Sequence, residues 1–415
     1  MTSLQQANST PLEGLGDGPE WTTDCILLAV HRRSNTALYM SKVQPDPTKN
    51  ELVNGELVLM TIQHLNPTPV GRYLLSSDVK AARQILECCS LESYDAFIIL
   101  VNAPIGRQAL FFNLNLQLVA NTNLMYMHDQ TMHPMTTMAC ADFDQKRKDL
   151  LIGTNSGRLF SFAVRLVTKV PNGGKGRIMA PIKTIQAIQR GKVKIDTTIG
   201  QKAVQICTVD INSTLLVLYD TGVIQCMESV NLEPLWTVPG SSFRDPPIRV
   251  WADKFGCQFV VYCRSESTSS VSLEMWMPPE SYNLCMTGHF YRCLIPLMSE
   301  NVGLKGVCIE SISSRSTHVI VAQGNGQLQL WLLTGENFQL VCSMLLATPK
   351  MLYSLPTLHI NFKEPSASVR SKISILIASC NDMTEVALHY PSESDSAWIV
   401  AGQALEREVN FFYIF

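Results

Sequence analysis

Short apolar runs separated by polar turns recur along most of the chain, and these runs come in pairs. In each pair, a run rich in Val, Ile, Leu and Phe is followed by a turn with Gly, Asn or Ser and then by a second, alternating run. This pattern predicts β-hairpins, because strands have a period of two residues and tight turns favour these residue types. Seven such pairs occur, at 25–31 with 36–43, 96–102 with 108–114, 149–154 with 157–164, 214–219 with 222–228, 257–263 with 271–277, 318–323 with 327–333, and 372–379 with 384–390.

Further runs of strand character flank each hairpin. Runs that precede a hairpin lie at 85–90, 135–141, 203–209, 248–253, 307–313 and 356–362. Runs that follow one lie at 56–62, 116–121, 182–188, 234–238, 282–287, 338–343 and 397–402. Six units therefore have four predicted strands each, while the first unit lacks its leading strand and the chain ends with a spare run, EVNFFYIF (408–415). The alternative for Val79–Cys89 is a short helix inserted before the second unit.

Seven similar units and a spare terminal strand predict an all-β fold, a seven-bladed β-propeller closed by pairing of the C-terminal strand with the first blade. Closure removes an exposed sheet edge. Burial of Phe411, Phe412 and Phe415 in the seam would stabilise it by about 1.5–3 kcal/mol for each ring. We expect residues 1–20 to form a mobile polar tail and residues 21–415 a single propeller domain. The alternative fold is two stacked β-sandwiches.

Two tryptophans suggest a family resemblance. Trp276 and Trp331 lie near the end of the third strand of their units, where a WD repeat carries its Trp, although no Asp follows either one. A Gly-His pair occurs once, at Gly288–His289. Across residues 21–415 the chain resembles a degenerate, WD-repeat-like seven-bladed propeller. The resemblance implies a non-enzymatic protein–protein interaction scaffold, a subunit of a multiprotein complex in the cytoplasm or nucleus.

Composition agrees with a large folded domain. The 415 residues include 46% hydrophobic and only 16% charged residues, with 33 Lys and Arg against 35 Asp and Glu. These values exclude a highly charged disordered chain and a long coiled coil, and the low charge suggests that other subunits cover part of the surface. The longest apolar runs are far shorter than the roughly 20 residues of a membrane helix. The N-terminus lacks the basic and apolar regions of a secretory signal, and the 13 cysteines therefore predict reduced thiols inside the cell.

Positive charge is concentrated in one segment. Residues 150–195 contain nine cations and no acidic residue, so the remaining chain carries 24 cations against 35 acids. We expect a basic partner-binding surface there, formed by Lys169, Lys175, Arg177, Arg190, Lys192 and Lys194. Its partner would be an acidic protein, a nucleic acid or an anionic lipid surface, in contrast to a solvated loop without a partner. Nucleic-acid or anionic-surface binding through residues 158–194 is thus the second functional hypothesis.

Signatures of catalysis and of metal binding are missing from the sequence. The segment Met125–Cys140 contains five Met, two His and one Cys, ligands that suit copper(I), but strand packing and a loop account for it better. The chain has no CxxC, HExxH or GxSxG motif, so neither a cofactor nor a metal is predicted. A propeller-type hydrolase or lyase is the third hypothesis, and it would require carboxylates or His that converge on the central channel.

Aromatic residues in one predicted loop suggest interface anchors. Aromatic side chains and Arg are the usual hot spots of protein interfaces. In the segment GHFYRC, we therefore expect Phe290, Tyr291 and Arg292 to contact a partner. The alternative is that these three residues pack against the next blade.

Overall fold

The structure, a computed structural model, consists almost entirely of β-strands. It describes residues 10–11, 25–31, 33–34, 36–43, 53–61, 68–74, 85–103, 106–169, 182–194, 202–209, 213–252, 259–265, 267–268, 270–277, 291–297, 304–313, 316–323, 327–334, 337–345, 357–363, 372–378, 382–389, 399–402 and 412–413. Within this part of the chain, no helix is long and apolar enough to cross a membrane.

Seven antiparallel sheets follow one another along the chain, and the strands of each sheet pair in chain order. A short strand, β1 (Thr10–Pro11), precedes them. The first sheet contains β2 (Cys25–His31), β3 (Thr36–Val43), β4 (Val53–Thr61) and β5 (Thr68–Leu74). The second contains β6 (Ile85–Leu91), β7 (Ala96–Ala103), β8 (Gly106–Asn113) and β9 (Leu118–Asn123). A separate hairpin follows, formed by β10 (Met125–His128) and β11 (Thr131–Pro134).

The next three sheets have the same organisation. The third contains β12 (Cys140–Asp144), β13 (Asp149–Gly153), β14 (Leu159–Lys169) and β15 (Ile182–Lys194). The fourth contains β16 (Ala203–Val209), β17 (Thr214–Tyr219), β18 (Ile224–Glu228) and β19 (Pro234–Val238). The fifth contains β20 (Pro247–Ala252), β21 (Phe259–Arg264), β22 (Val271–Met277) and β23 (Tyr291–Ile295).

The last two sheets complete the series. The sixth contains β24 (Leu304–Ser313), β25 (Ser316–Gln323), β26 (Gln327–Thr334) and β27 (Asn337–Leu345). The seventh contains β28 (Thr357–Lys363), β29 (Lys372–Ala378), β30 (Asp382–His389), β31 (Ile399–Gly402) and β32 (Phe412–Tyr413). The strand β1, which lies within the predicted N-terminal tail, pairs with the start of β30.

Both faces of the second sheet are buried, which explains the unbroken apolar run of its strand β7. In β7, every residue from Ala96 to Val101 is buried. Phe97 and Ile99 belong to a cluster with Leu38 of the first sheet. Their neighbour Ile98 packs on the other face, in a cluster with Phe162 of the third sheet. A strand covered on both faces has no reason to alternate, and packing on both faces distinguishes this arrangement from a pair of sandwiches, in which each sheet is covered on one face.

The first strands of consecutive sheets lie next to each other. Contacts join β2 to β6, β6 to β12, β12 to β16, β16 to β20, β20 to β24 and β24 to β28. Each sheet therefore has its first strand on the inner side of the array and its fourth strand on the outer side. The helix considered for Val79–Cys89 is wrong for its described part, because Ile85–Leu91 is the inner strand of the second sheet.

The predicted pairing between the C-terminal strand and the first sheet is wrong. Phe412 and Tyr413 instead pair with Val400 and Ile399 of the seventh sheet. The first sheet obtains its fourth strand from β5, which pairs with β4 on the outer side. In the first sheet, β2 is the strand that lies beside β6.

Candidate interaction surface

The predicted basic surface is divided along two long, paired strands of the third sheet, of which β15 is the outer one. β14 and β15 contain 11 and 13 residues and pair along most of their length. Lys169 lies opposite Ile182 at one end of this ladder, while Lys194 lies opposite Leu159 at the other end. At about 3.3 Å per residue, these ends are roughly 33 Å apart along β14. Arg190, Lys192 and Lys194 therefore share one end of β15, Lys169 does not join them, and Lys175 and Arg177 lie outside the described residues.

The end of β15 that contains Arg190 lies beside the extra hairpin. The side-chain oxygen of Gln189, the residue before Arg190, accepts a hydrogen bond of 2.6 Å from the backbone N–H of Met127. β15 also contacts β9, the outer strand of the second sheet. The hairpin strand β10 therefore lies against β15 at Gln189.

Backbone hydrogen bonds and buried side chains hold the base of this hairpin. Met135 donates from its N–H to the carbonyl of Leu124, Leu124 donates to Arg107, and Arg107 donates to Met135, at 2.7 to 2.9 Å. The side chains of Leu124 and Met135 are each 1% exposed, in the core between the second and third sheets. Gly106 has a φ of +133°, and a Cβ there would lie 2.7 Å from the carbonyl oxygen of Met135. The backbone at Gly106 and the backbone at Met135 lie so close together that residue 106 must be glycine.

The two faces of the hairpin differ. Tyr126 packs edge-on against Phe160 with ring centroids 5.2 Å apart, so one face is held against the third sheet. Met127 and Met132 are direct cross-strand partners and are 59% and 54% exposed. At the tip, His128 Nδ1 lies 2.9 Å from Asp129 Oδ2, and both side chains are exposed. Cross-strand partners lie on the same face of a ribbon, so the hairpin presents a pair of methionines to solvent.

Two of the three predicted interface anchors, Tyr291 and Arg292, lie on the edge strand β23 and not in a loop. Arg292 of β23 donates to Glu274 Oε1 at 2.6 Å and lies over the Trp276 ring, 5.9 Å from its centroid. Trp276 Nε1 donates to the other Glu274 oxygen at 3.1 Å. Arg292 therefore supports the packing of its own sheet. Tyr291 is 59% exposed and is available to a partner, whereas Phe290 lies outside the described residues.

Polar side chains on the inner strands join neighbouring sheets. Asp142 of β12 accepts hydrogen bonds from the backbone N–H and hydroxyl of Thr208 in β16, at 2.7 and 2.9 Å, and from the N–H of Phe143 at 2.8 Å. Gln205 of β16 donates to the carbonyl of Val250 at 2.8 Å and accepts from its N–H at 3.0 Å. These side chains use their hydrogen-bonding capacity within the fold, between strands that are distant in sequence.

Burial changes the acidity of the inner carboxylates. Desolvation raises the pKa of Glu87 in β6 to about 7, and the negative charge of Asp142 adds to this effect. The N–H of Cys88 and the positive charge of Arg249 act in the opposite direction. Desolvation likewise raises the pKa of Asp142, although its hydrogen bonds from Thr208 and Phe143 oppose the shift. Both shifts arise from burial in the packed inner region.

Burial also makes the inner thiols weak acids. Desolvation raises the pKa of Cys140 and of Cys263 to about 12, and it raises the pKa of Cys88, Cys89 and Cys207. A thiol that remains protonated is a poor nucleophile and a poor metal ligand. The seven cysteines whose side chains are described form no disulfide. In the part of the chain that the structure describes, no group of three or more His, Cys, Asp or Glu could hold a metal.

Comparison with solved structures identifies the type of fold. The chain superimposes on the β-propeller domain of Cps50 (Swd1) from Myceliophteria thermophila with a TM-score of 0.51 and 9% identity, covering 91% of this chain and 99% of that domain. It superimposes on Sqt1 from Saccharomyces cerevisiae with a TM-score of 0.50 and 8% identity, covering 92% of this chain and 100% of that one. No protein-family model matches the sequence, and no curated protein matches it. The chain is therefore an all-β protein with a β-propeller fold.

The hairpin was not expected from the sequence. Strand packing and a loop were expected for Met125–Cys140 in preference to soft metal ligands, and the structure divides this segment into a hairpin, a buried Met135 and the inner residue Cys140. The available signal was the alternation on both sides of Asp129–Gln130. These two residues have φ values of 46° and 63°, as a tight hairpin turn with two left-handed residues requires.

Proposed function

We propose that this chain is a non-enzymatic scaffold, a seven-bladed propeller that binds other protein subunits in a stable intracellular complex. One observation carries this proposal. Nine large apolar side chains are exposed among the described residues, and six of them lie on outer strands or on the extra hairpin. These six are Leu118, Met127, Met132, Tyr291, Leu294 and Leu340. Exposed apolar side chains on a rigid frame are typical of surfaces that bind other proteins.

The hydrogen bonds of the polar groups in the inner region support a structural role for these groups. The carboxylate of Asp142 and the amide of Gln205 are hydrogen-bonded to neighbouring sheets, and the carboxylate of Glu274 is held by Arg292 and Trp276. A catalytic carboxylate must instead face a substrate. These contacts therefore favour a scaffold over a propeller-type hydrolase or lyase. Protonated, buried thiols agree with a reducing compartment, the cytoplasm or the nucleus.

Purification of the tagged chain from its native cells, at its natural expression level, tests the scaffold function. We expect a stoichiometric set of partner proteins that remains bound through size-exclusion chromatography at 50 mM and at about 150 mM salt. A chain that elutes alone at low salt would contradict the proposal.

A variant of the outer strand β23 tests whether the fifth sheet binds a partner subunit. Tyr291→Ser combined with Leu294→Ser removes two side chains that are 59% and 60% exposed and leaves the structural Arg292 in place. Val230→Ser is the matched control, since Val230 is 54% exposed on a turn of the fourth sheet. If this edge binds a subunit, the double variant loses it while the control keeps it, and both retain the wild-type melting temperature.

A further inference from the structure

The outer strands of the seven sheets differ in how their edges are protected. An unpaired strand edge exposes backbone N–H and C=O groups that can pair with another chain, and folded proteins protect such edges with bulges, prolines or charges, or cover them. In five of the seven outer ladders that the structure describes, the register shifts at a bulge or irregularity. The outer strand of the seventh sheet, β31, is covered by β32. The ladder of β22 and β23 has neither feature.

The strand β23 therefore lacks these forms of protection. It pairs with β22 in unbroken register along Tyr291–Ile295, and no other described strand pairs with it. Its sequence, YRCLI, contains no Pro or Lys. Its single charged residue is Arg292, and the guanidinium is held by Glu274 Oε1 at 2.6 Å. Five residues are an ordinary length for a strand, so β23 can accept a further strand at this edge.

Both faces of β23 carry an exposed apolar side chain. Tyr291 is 59% exposed and Leu294 is 60% exposed, and because they are three residues apart they point to opposite faces of the strand. Tyr291 lies opposite Met277, which packs on the cluster shared with the sixth sheet. Leu294 shares the face of Arg292, which lies over the Trp276 ring on the side of the fourth sheet. A strand added at this edge would thus find apolar contacts on both of its faces.

The ion pair at this edge restricts the chemistry of the occupant. The Glu274 side chain is 2% exposed and that of Arg292 is 37% exposed, so the positive charge of β23 is already compensated from within the sheet. Phosphates of a nucleic acid or of a lipid bilayer would require uncompensated positive charge. An occupant of β23 needs instead apolar side chains beside Tyr291 and Leu294, and an extended backbone that can pair with the strand.

A second copy of this chain fits the edge less well than a segment of another protein. Because β23 is the outermost strand of its sheet, two copies would meet chiefly along this strand, over five residues or roughly 17 Å. Stable, specific interfaces bury about 1,200–2,000 Å², which requires more contact than one short strand provides. An extended segment of a partner can continue beyond β23 and contact the sheets on both sides of it.

We propose that β23 binds an extended segment of a partner protein, which pairs with it as an additional strand of the fifth sheet. Side chains of this segment contact Tyr291 on one face and Leu294 on the other, so the paired stretch is apolar on both faces. The proposal rests on the scaffold function, because it assigns one binding surface of the scaffold and the form in which a partner binds there.

Site-specific photocrosslinking in the full chain identifies the segment. A photoreactive amino acid replaces Leu294 in the chain expressed in its native cells, and a second version carries it at Leu118, an exposed residue of the outer strand β9, whose ladder has a bulge. We expect a crosslink from residue 294, and not from residue 118, to a segment of another protein that is apolar on both faces when extended. Crosslinks to a second copy, to RNA or to lipid would overturn the proposal, as would no crosslink from residue 294.

Backbone methylation of the identified segment, made as a synthetic peptide, tests strand pairing itself. Every second N–H group of an added strand points to its neighbour. An N-methyl group at these positions should weaken binding to the purified chain about tenfold or more, because a hydrogen bond is lost and the methyl group separates the strands. At the positions between them, the same change should weaken binding less than about twofold. Uniform losses along the peptide, or no loss at all, would contradict strand addition.

A charge placed on the edge gives the complementary test in the protein. Leu294→Lys should weaken peptide binding about tenfold or more, because a lysine on an edge strand opposes pairing with another strand. Leu118→Lys is the matched control and should change the affinity less than about twofold. Both variants should keep the wild-type melting temperature, since both side chains are exposed. The affinity should change little between about 50 and 150 mM salt. Unchanged affinity in Leu294→Lys, or a steep salt dependence, would count against the proposal.

The outcomes separate this proposal from the scaffold function. If partner proteins copurify but residue 294 yields no crosslink to any of them, the scaffold function stands and β23 is not one of its binding edges. If no partner copurifies at all, the scaffold function itself fails.

Discussion

Replacement of Glu87 by Gln should stabilise the protein at neutral pH and have little effect at acidic pH. Glu87 lies on the inner strand β6, where desolvation, the dominant cause, raises the pKa of its carboxyl from 4.5 to about 7. In the unfolded chain the same group ionises with its ordinary pKa. Gln retains an oxygen that can accept the hydrogen bond, 3.3 Å long, from the N–H of Cys88 but cannot become charged.

The sign of the effect follows from proton binding. Between pH 4.5 and about 7, folded wild-type protein binds more protons at Glu87 than the unfolded chain does, so the free energy of unfolding falls as the pH rises. A pKa difference of this size corresponds to at most about 3 kcal/mol. Because Glu87 is partly exposed, solvent screening reduces the expected effect to about 1–2 kcal/mol.

Urea unfolding at a series of pH values from about 4.5 to 8 measures this effect. The difference in free energy of unfolding between Glu87→Gln and wild type should grow across the series and level off above pH 7, where the folded wild type is ionised. A difference for Glu87→Gln that is independent of pH, or that becomes smaller as the pH rises, would refute the reasoning.

Two further substitutions test the contacts that hold the sheets and the hairpin. Gln205→Leu removes both hydrogen bonds to Val250. It leaves the N–H of Val250 without this acceptor and its carbonyl with only the weak thiol donor of Cys207, so urea unfolding should show a loss of about 1–3 kcal/mol. An unchanged midpoint would mean that water replaces the amide. Gly106→Ala places a Cβ 2.7 Å from the Met135 carbonyl oxygen, so hydrogen exchange at the Met135 and Leu124 amides should accelerate by about tenfold or more. Exchange at the wild-type rate would contradict this prediction.

Much of the architecture could be predicted because strand pairing is a local signal in this chain. The run 214–219 and the turn after it coincide with β17 and its hairpin to β18, and the all-β class follows from seven repetitions of this pattern. β5 was missed because Pro69 and Gly71 interrupt its apolar alternation, and a bulge opposite, between Leu59 and Met60, shifts the register. Without β5, the first sheet appeared to lack a strand, and the C-terminal strand was wrongly assigned to it.

The candidate site was less predictable, because its geometry depends on residues that are far apart in sequence. Thr208 lies 66 residues from Asp142, and Gln189 lies 62 residues from Met127, yet both pairs are hydrogen-bonded. Sequence spacing could show that Arg292 is a good interface residue in general. It could not show that Glu274, across the ladder, already pairs with its guanidinium.

The position of the hairpin explains how such a frame can gain a specific surface without losing stability. The second sheet packs against the first sheet on one face and against the third sheet on the other. A change of side chains within such a sheet therefore disturbs a close-packed interface. An insertion between the fourth strand of one sheet and the first strand of the next avoids this cost, because β10–β11 forms a separate sheet that takes part in neither neighbouring ladder. Binding specificity is therefore expected at the connections between sheets and on their outer strands, where Met127, Met132 and Tyr291 are exposed.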